Sequence, residues 1–158
     1  MRRFSLPMLA IVAFTGVGCN TPESVLEVSK HNQPVVDIRN VILNGQARVT
    51  FPFAVPGDVG HPHFEGRWTL RDKEKPVQVF VFRAQDYDDS LPPRAAGSCS
   101  PPDTTGCAIW SWTSTSDKPE MHVHPTPGNW VVVFFNPALP GPTTRADVSS
   151  EIDFSYFK

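Results

Sequence analysis

Two short patterns hold the side chains best suited to chemistry, His61-Pro62-His63-Phe64-Glu65 and His122-Val123-His124. A neutral imidazole nitrogen is a ligand for zinc and copper, and carboxylate oxygens join such sites readily. In an extended strand, residues two apart point to the same side, which places His61, His63 and Glu65 on one face and His122 and His124 on another. If the two segments were neighbouring strands, facing side chains would have Cβ atoms about 4.5–5.5 Å apart, close enough to share one ion. The expected ligand set is therefore His61, His63, His122 and His124, four of the 5 histidines in the chain, around a zinc or copper ion. Without a metal, the same imidazoles would form a surface that repels itself on acidification. Exposed histidines also occur on sheet faces with no ligand at all.

Other candidates are sparser. Asp86, Asp88 and Asp89 supply hard oxygen atoms for calcium, although acidic residues are ordinary in turns and no EF-hand spacing is present. Trp110 and Trp112 share one strand face and could stack on a sugar or a partner protein, or pack into the core. Cys99 and Cys107 lie close together in a Pro/Gly/Ser-rich loop and are expected to form a disulfide in an oxidising compartment. There is no Gly-x-Ser-x-Gly elbow, no phosphate-binding glycine loop and no H-E-x-x-H. The expectation is a protein without enzymatic activity, a hydrolase built from residues distant in sequence being the remaining catalytic reading. A net charge of -2, with 19% charged residues and no basic cluster, argues against nucleic acid as a partner.

The elements that must position these residues read as strands. Trp130-Val131-Val132-Val133-Phe134-Phe135 follows a Pro-Gly turn and ends at Asn136-Pro137; it is short, β-branched and aromatic, and apolar on both parities. It is expected to be a buried central strand, and Val77-Gln78-Val79-Phe80-Val81-Phe82 is its counterpart and expected neighbour. Val35 to Leu43, Arg48 to Val55, His61 to Arg71, Ala108 to Thr113, Pro119 to Pro125 and Val148 to Tyr156 complete a count of about eight, with Asn44-Gly45 as a hairpin signal between the first two. Alternation puts Val49, Phe51, Phe53 and Val55 inward on the second strand, and Phe64, Gly66, Trp68 and Leu70 inward on the third. The 17 prolines punctuate these runs. The fold class is all-β, an antiparallel β-sandwich of jelly-roll type.

The N-terminus carries an address. Met1-Arg2-Arg3 is a basic head, Phe4 to Val17 is apolar but shorter than the roughly 20 residues a spanning helix needs, and Gly18-Cys19 follows. Gly16-Val17-Gly18-Cys19 resembles the lipobox of bacterial lipoproteins, although Gly16 stands where that family usually has leucine; an ordinary cleaved signal is the alternative. The resemblance implies removal of residues 1–18, diacylation of Cys19 on sulfur, a tether over 19–33 and a β-sandwich over 34–158. It also explains why the number of cysteines is 3, one more than a disulfide uses. Asn20 in place of an aspartate retention signal points to the outer membrane or cell surface.

The order of patterns also resembles the bacterial jelly-roll sandwiches related to GOLD-like domains, chiefly in Phe64-Glu65-Gly66-Arg67-Trp68, Asp86-Tyr87-Asp88-Asp89, and Gly128-Asn129-Trp130 through Asn136. The jelly-roll order implied is 2-7-4-5 in one sheet and 1-8-3-6 in the other. Strands 3 and 6 would then be antiparallel neighbours, the start of one beside the end of the other, and the two histidine patterns would meet. The expected function is that of an exported, lipid-anchored envelope module, either binding or structural, with a protein or glycan ligand. The alternative is a zinc- or copper-binding protein using the histidine face.

Overall fold

A computed structural model describes residues 30–71, 75–100, 103–114 and 120–158. The signal segment and Cys19 lie outside the described residues. The chain forms β1 (Lys30–Leu43), β2 (Arg48–Val55), β3 (Gly60–Leu70), β4 (Val77–Arg83), a 3₁₀ turn (Ala84–Asp86), β5 (Trp110–Ser114), β6 (Glu120–Val123), β7 (Gly128–Phe135) and β8 (Ala146–Phe157). Two four-stranded antiparallel sheets result, in the orders β1-β8-β3-β6 and β2-β7-β4-β5. This is the expected sandwich and the expected strand order.

Alternation along each strand decides which side chains fill the space between the sheets. Phe64, Trp68 and Leu70 from β3 and Val148, Ile152 and Phe154 from β8 are buried against Phe53 and Val55 of β2, Val79 and Val81 of β4 and Trp130, Val132 and Phe134 of β7. Phe53 stacks on Phe64 with ring centroids 5.0 Å apart, and Trp68 meets Phe134 edge-on at 6.4 Å. Contacts of this kind join the two sheets and add to the free energy of apolar burial.

The opposite faces of β4 and β7 have a different partner. Phe80, Phe82, Val131, Val133 and Phe135 form a second apolar cluster with Ala108, and Tyr87 packs against it. The irregular chain between β4 and β5 covers this outer face. Gly106 N–H donates to the Asp86 carbonyl at 2.7 Å, Ala108 N–H to that of Arg94 at 3.1 Å, and the Cys99–Cys107 disulfide closes the loop. From β2, the Arg48 guanidinium lies 5.9 Å from the Phe135 ring centroid and donates to the Leu91 carbonyl at 2.7 Å. Being interior in the sheet supplies backbone partners for these strands, whereas the loop removes their second face from water. A cross-link spanning 8 residues restricts the unfolded chain by about 2–3 kcal/mol. Reduction should therefore lower the unfolding free energy by about that amount and increase binding of an apolar dye, measurable by urea denaturation with and without reductant.

Two expectations require correction. Asn44-Gly45 does not make a hairpin, because β1 pairs with β8 and β2 with β7, and the turn instead carries the chain from one sheet to the other. Ala47 N–H donates to the Asn44 carbonyl at 3.0 Å, but the positive φ falls on Gln46 (63°). Gly45 is needed for proximity, since a Cβ there would sit 2.5 Å from the Leu139 carbonyl oxygen. The second correction concerns β1, which begins at Lys30, inside the segment read as tether, because Lys30 to Gln33 pair with the far end of β8. Backbone pairing of this kind leaves no apolar signature in the side chains.

Candidate metal centre

β3 and β6 are adjacent, with Phe64 opposite Val123 and Glu65 opposite His122. Phe64, Met121 and Val123 turn inward, which sends Glu65 and His122 to the outer face. His63 Nε2 lies 3.1 Å from Glu65 Oε2, and His122 Nδ1 lies 3.9 Å from the same oxygen. One donor atom each from His63, Glu65 and His122 falls within 4.8 Å of the others, and this is the one such group of three or more potential ligands among the described residues. His63 is half-buried and the other two are exposed.

His124 stands beside this group, its ring centroid 4.9 Å from that of His63, compared with 5.7 Å from His63 to His122. Its Nδ1 lies 3.2 Å from the Pro62 carbonyl oxygen. A carbonyl can only accept a hydrogen bond, so Nδ1 carries the proton and the neutral ring keeps its lone pair on Nε2.

His61 does not join them. Between Gly60 and His63 the β3 chain advances three residues while its β8 partners advance two, from Phe157 to Ser155. The extra residue is a bulge, with His61 at φ 49°. The bulge breaks the parity on which the four-histidine set depends, and His61 packs edge-on against Phe157 at 6.3 Å. Of the four expected histidines, the structure gathers His63 and His122 with Glu65, places His124 next to them and leaves His61 apart.

The surroundings of the group are acidic. Asp153 faces Glu65 and Glu151 faces Arg67 across the β3–β8 pairing, with Arg67 donating to Glu151 Oε2 at 3.4 Å. Partial burial, reinforced by the Glu151 and Glu65 carboxylates, pushes the Asp153 carboxyl above its usual range. A raised carboxyl pKa favours folding while the group is protonated, and that contribution is lost as pH rises through the folded-state value. Asp153→Asn should therefore stabilise the domain at neutral pH and give no gain below the ordinary carboxylate range, which urea denaturation at the two pH values would show.

Gly66 allows these strands to approach. A Cβ there would lie 2.6 Å from Ile152 Cγ1 and 2.8 Å from the Glu151 carbonyl oxygen. An open hollow of ≈ 340 Å³, lined by Glu65, Gly66, Arg67, His122, Glu151 and Asp153, adjoins the group.

The remaining candidates have structural partners. Asp88 Oδ1 accepts from the Ser90 N–H at 2.8 Å and the Ser90 hydroxyl at 2.6 Å, and Asp86 Oδ1 accepts from Thr104 at 3.1 Å. These carboxylates shape the loop and do not converge with Asp89 into a three-ligand group among the described residues. Trp110 and Trp112 are partly buried against the main core, stacked on Trp130 at 5.4 Å and edge-on to Trp68 at 6.5 Å.

No family model and no curated protein matches the chain. Among solved structures it is similar to the CBM36-1 domain of a multidomain xylanase from the hindgut metagenome of Trinervitermes trinervoides, at 10% identity and a TM-score of 0.39 over 80% of this chain and 96% of that one. It is also similar to a family two carbohydrate esterase from Cellvibrio japonicus, at 11% identity and a TM-score of 0.33 over 83% of this chain and 35% of that one. Likeness at this level carries no argument about ligand or chemistry.

Proposed function

We propose that this chain is a lipid-anchored, non-enzymatic binding module of the bacterial cell envelope, and that it holds a polar glycan or protein ligand on the outer face of the β1-β8-β3-β6 sheet. The observation that carries this reading is the difference between the two outer faces. On the second sheet, the outer faces of β4 and β7 lie under the disulfide-closed loop. The first sheet presents Arg39, Glu65, Arg67, Glu151 and Asp153 around two open hollows, of ≈ 240 and ≈ 340 Å³. Clefts with convergent polar groups are where ligands are oriented. Support for export comes from the signal-like N-terminus and from the disulfide, which persists in oxidising compartments.

Two measurements test the reading. Mass spectrometry of the mature N-terminus should find diacylated Cys19; an unmodified terminus elsewhere removes the anchor. NMR of the isotope-labelled mature protein with envelope polysaccharide or peptidoglycan fragments should shift amides around Arg67 and Glu151. Shifts confined to the second sheet or its loop would overturn the assigned face.

A further inference from the structure

We propose that His63, Glu65 and His122 bind a single zinc or copper(II) ion at the β3–β6 edge, with His124 as the fourth donor through Nε2. The proposal deepens the reading of this sheet face as the ligand face and rests on it.

The donor set supports a late first-row divalent ion. Three borderline imidazoles with a single hard carboxylate oxygen suit zinc and copper, whereas calcium and magnesium prefer oxygen throughout. The geometry is already gathered, since the His63, Glu65 and His122 donor atoms lie within 4.8 Å of one another. The strand register holds Glu65 directly opposite His122, and the ion would bridge two strands whose backbones are already hydrogen-bonded. Ordering cost on binding is then limited to side chains.

Charge favours the same place. Glu65, Asp153 and Glu151 lie in the same hollow against one cation, Arg67. An incoming dication would offset that excess of negative charge, and the open side of the hollow leaves it a route of entry.

His124 is oriented by a backbone contact of a kind common behind metal-bound histidines. The Pro62 carbonyl accepts from its Nδ1–H and leaves Nε2 as the free donor. The bulge at His61-Pro62 supplies this carbonyl while it diverts His61 from the cluster. One backbone irregularity thus decides both which histidine is lost and how another is held.

Titration of the purified mature protein with zinc chloride and with copper(II) sulfate tests the assignment. The wild type should bind one ion per chain with a dissociation constant below about ten micromolar. His63→Ala and His122→Ala should each weaken binding by about 100-fold or more, and His124→Ala by about tenfold. His61→Ala should leave affinity within about twofold of wild type, since His61 is outside the ligand set. Circular dichroism melting of each variant separates loss of ligand from loss of fold; His122, at 59% side-chain exposure, is outside the core. Nitrogen splitting in the copper(II) electron paramagnetic resonance spectrum should fall by one ligand in His124→Ala.

Absence of binding below tens of micromolar, or a His61→Ala variant as impaired as His63→Ala, overturns the centre. Unchanged affinity and nitrogen count in His124→Ala overturn the fourth ligand. Polysaccharide shifts on this face in a protein that binds no metal would reject the centre and leave the ligand face standing. Metal binding with shifts only on the second sheet would do the reverse.

Discussion

Phe134→Asp should yield no folded domain. Phe134 is fully buried on β7, between β2 and β4, and meets Phe51 and Trp68 edge-on at 6.1 and 6.4 Å. Truncation to alanine alone removes about 3–5 kcal/mol from cores of this kind, against a total stability of about 5–15 kcal/mol. A carboxylate adds the cost of burying a charge without a partner. The substituted protein should be recovered from inclusion bodies or lost to proteolysis, and its circular dichroism spectrum should show no cooperative melt. Phe134→Ala should fold but denature at a clearly lower urea concentration. An aspartate variant that melts as the wild type does would refute the central position of β7.

Asn136→Ala should destabilise the domain by about 3 kcal/mol or more, through loss of three hydrogen bonds at a buried site. Asn136 is 1% exposed. Its side-chain amide donates to the Leu43 carbonyl at 2.9 Å and the Thr144 carbonyl at 2.6 Å, and its side-chain oxygen accepts from Ala138 N–H at 3.0 Å. Its backbone N–H donates to the Ala47 carbonyl, and its carbonyl accepts from Gln46 N–H. One residue therefore ties together the end of β1, the β1–β2 turn, the exit of β7 and the β7–β8 loop. Alanine would keep the backbone bonds and take this amide away from one buried and two part-buried backbone partners. Urea denaturation should show a lower midpoint with an unchanged slope, since the hub closes one end of the sandwich without changing the surface exposed on unfolding.

Asn136 also shows how far local pattern reaches. In sequence, Asn136-Pro137 is a stop after an apolar run, and the strand does end at Phe135. Nothing local indicates that its amide meets Leu43, 93 positions away. The same holds for β4 and β7. Apolar side chains on both parities announce that neither face meets water, yet the partner of the outer face is a loop of mixed composition whose apolar contribution is mainly Tyr87 and Ala108. Asn44-Gly45 specifies a tight reversal; whether the flanking strands pair depends on what else competes for their edges, and β8 and β7 take them.

The sequence by itself determined the strands, their inward faces and the sandwich class, whereas the strand order, and with it the meeting of the two histidine patterns, was what the jelly-roll resemblance implied and the structure shows. Strands and class follow from period-two alternation and from turn residues, both local signals that repeat along the chain and reinforce one another, whereas which strands pair is not a local signal. Only the tertiary structure decided which side chains meet at the site. A single extra residue at His61-Pro62 shifts β3 by one position against β8, and parity counted from Phe64 no longer reaches His61. His61 goes to Phe157, Glu65 lies with His63 and His122, and the Pro62 carbonyl comes to hold His124. A bulge depends on how two strands fit together across a sheet, and that fit is a property of the pair, which neither segment carries alone.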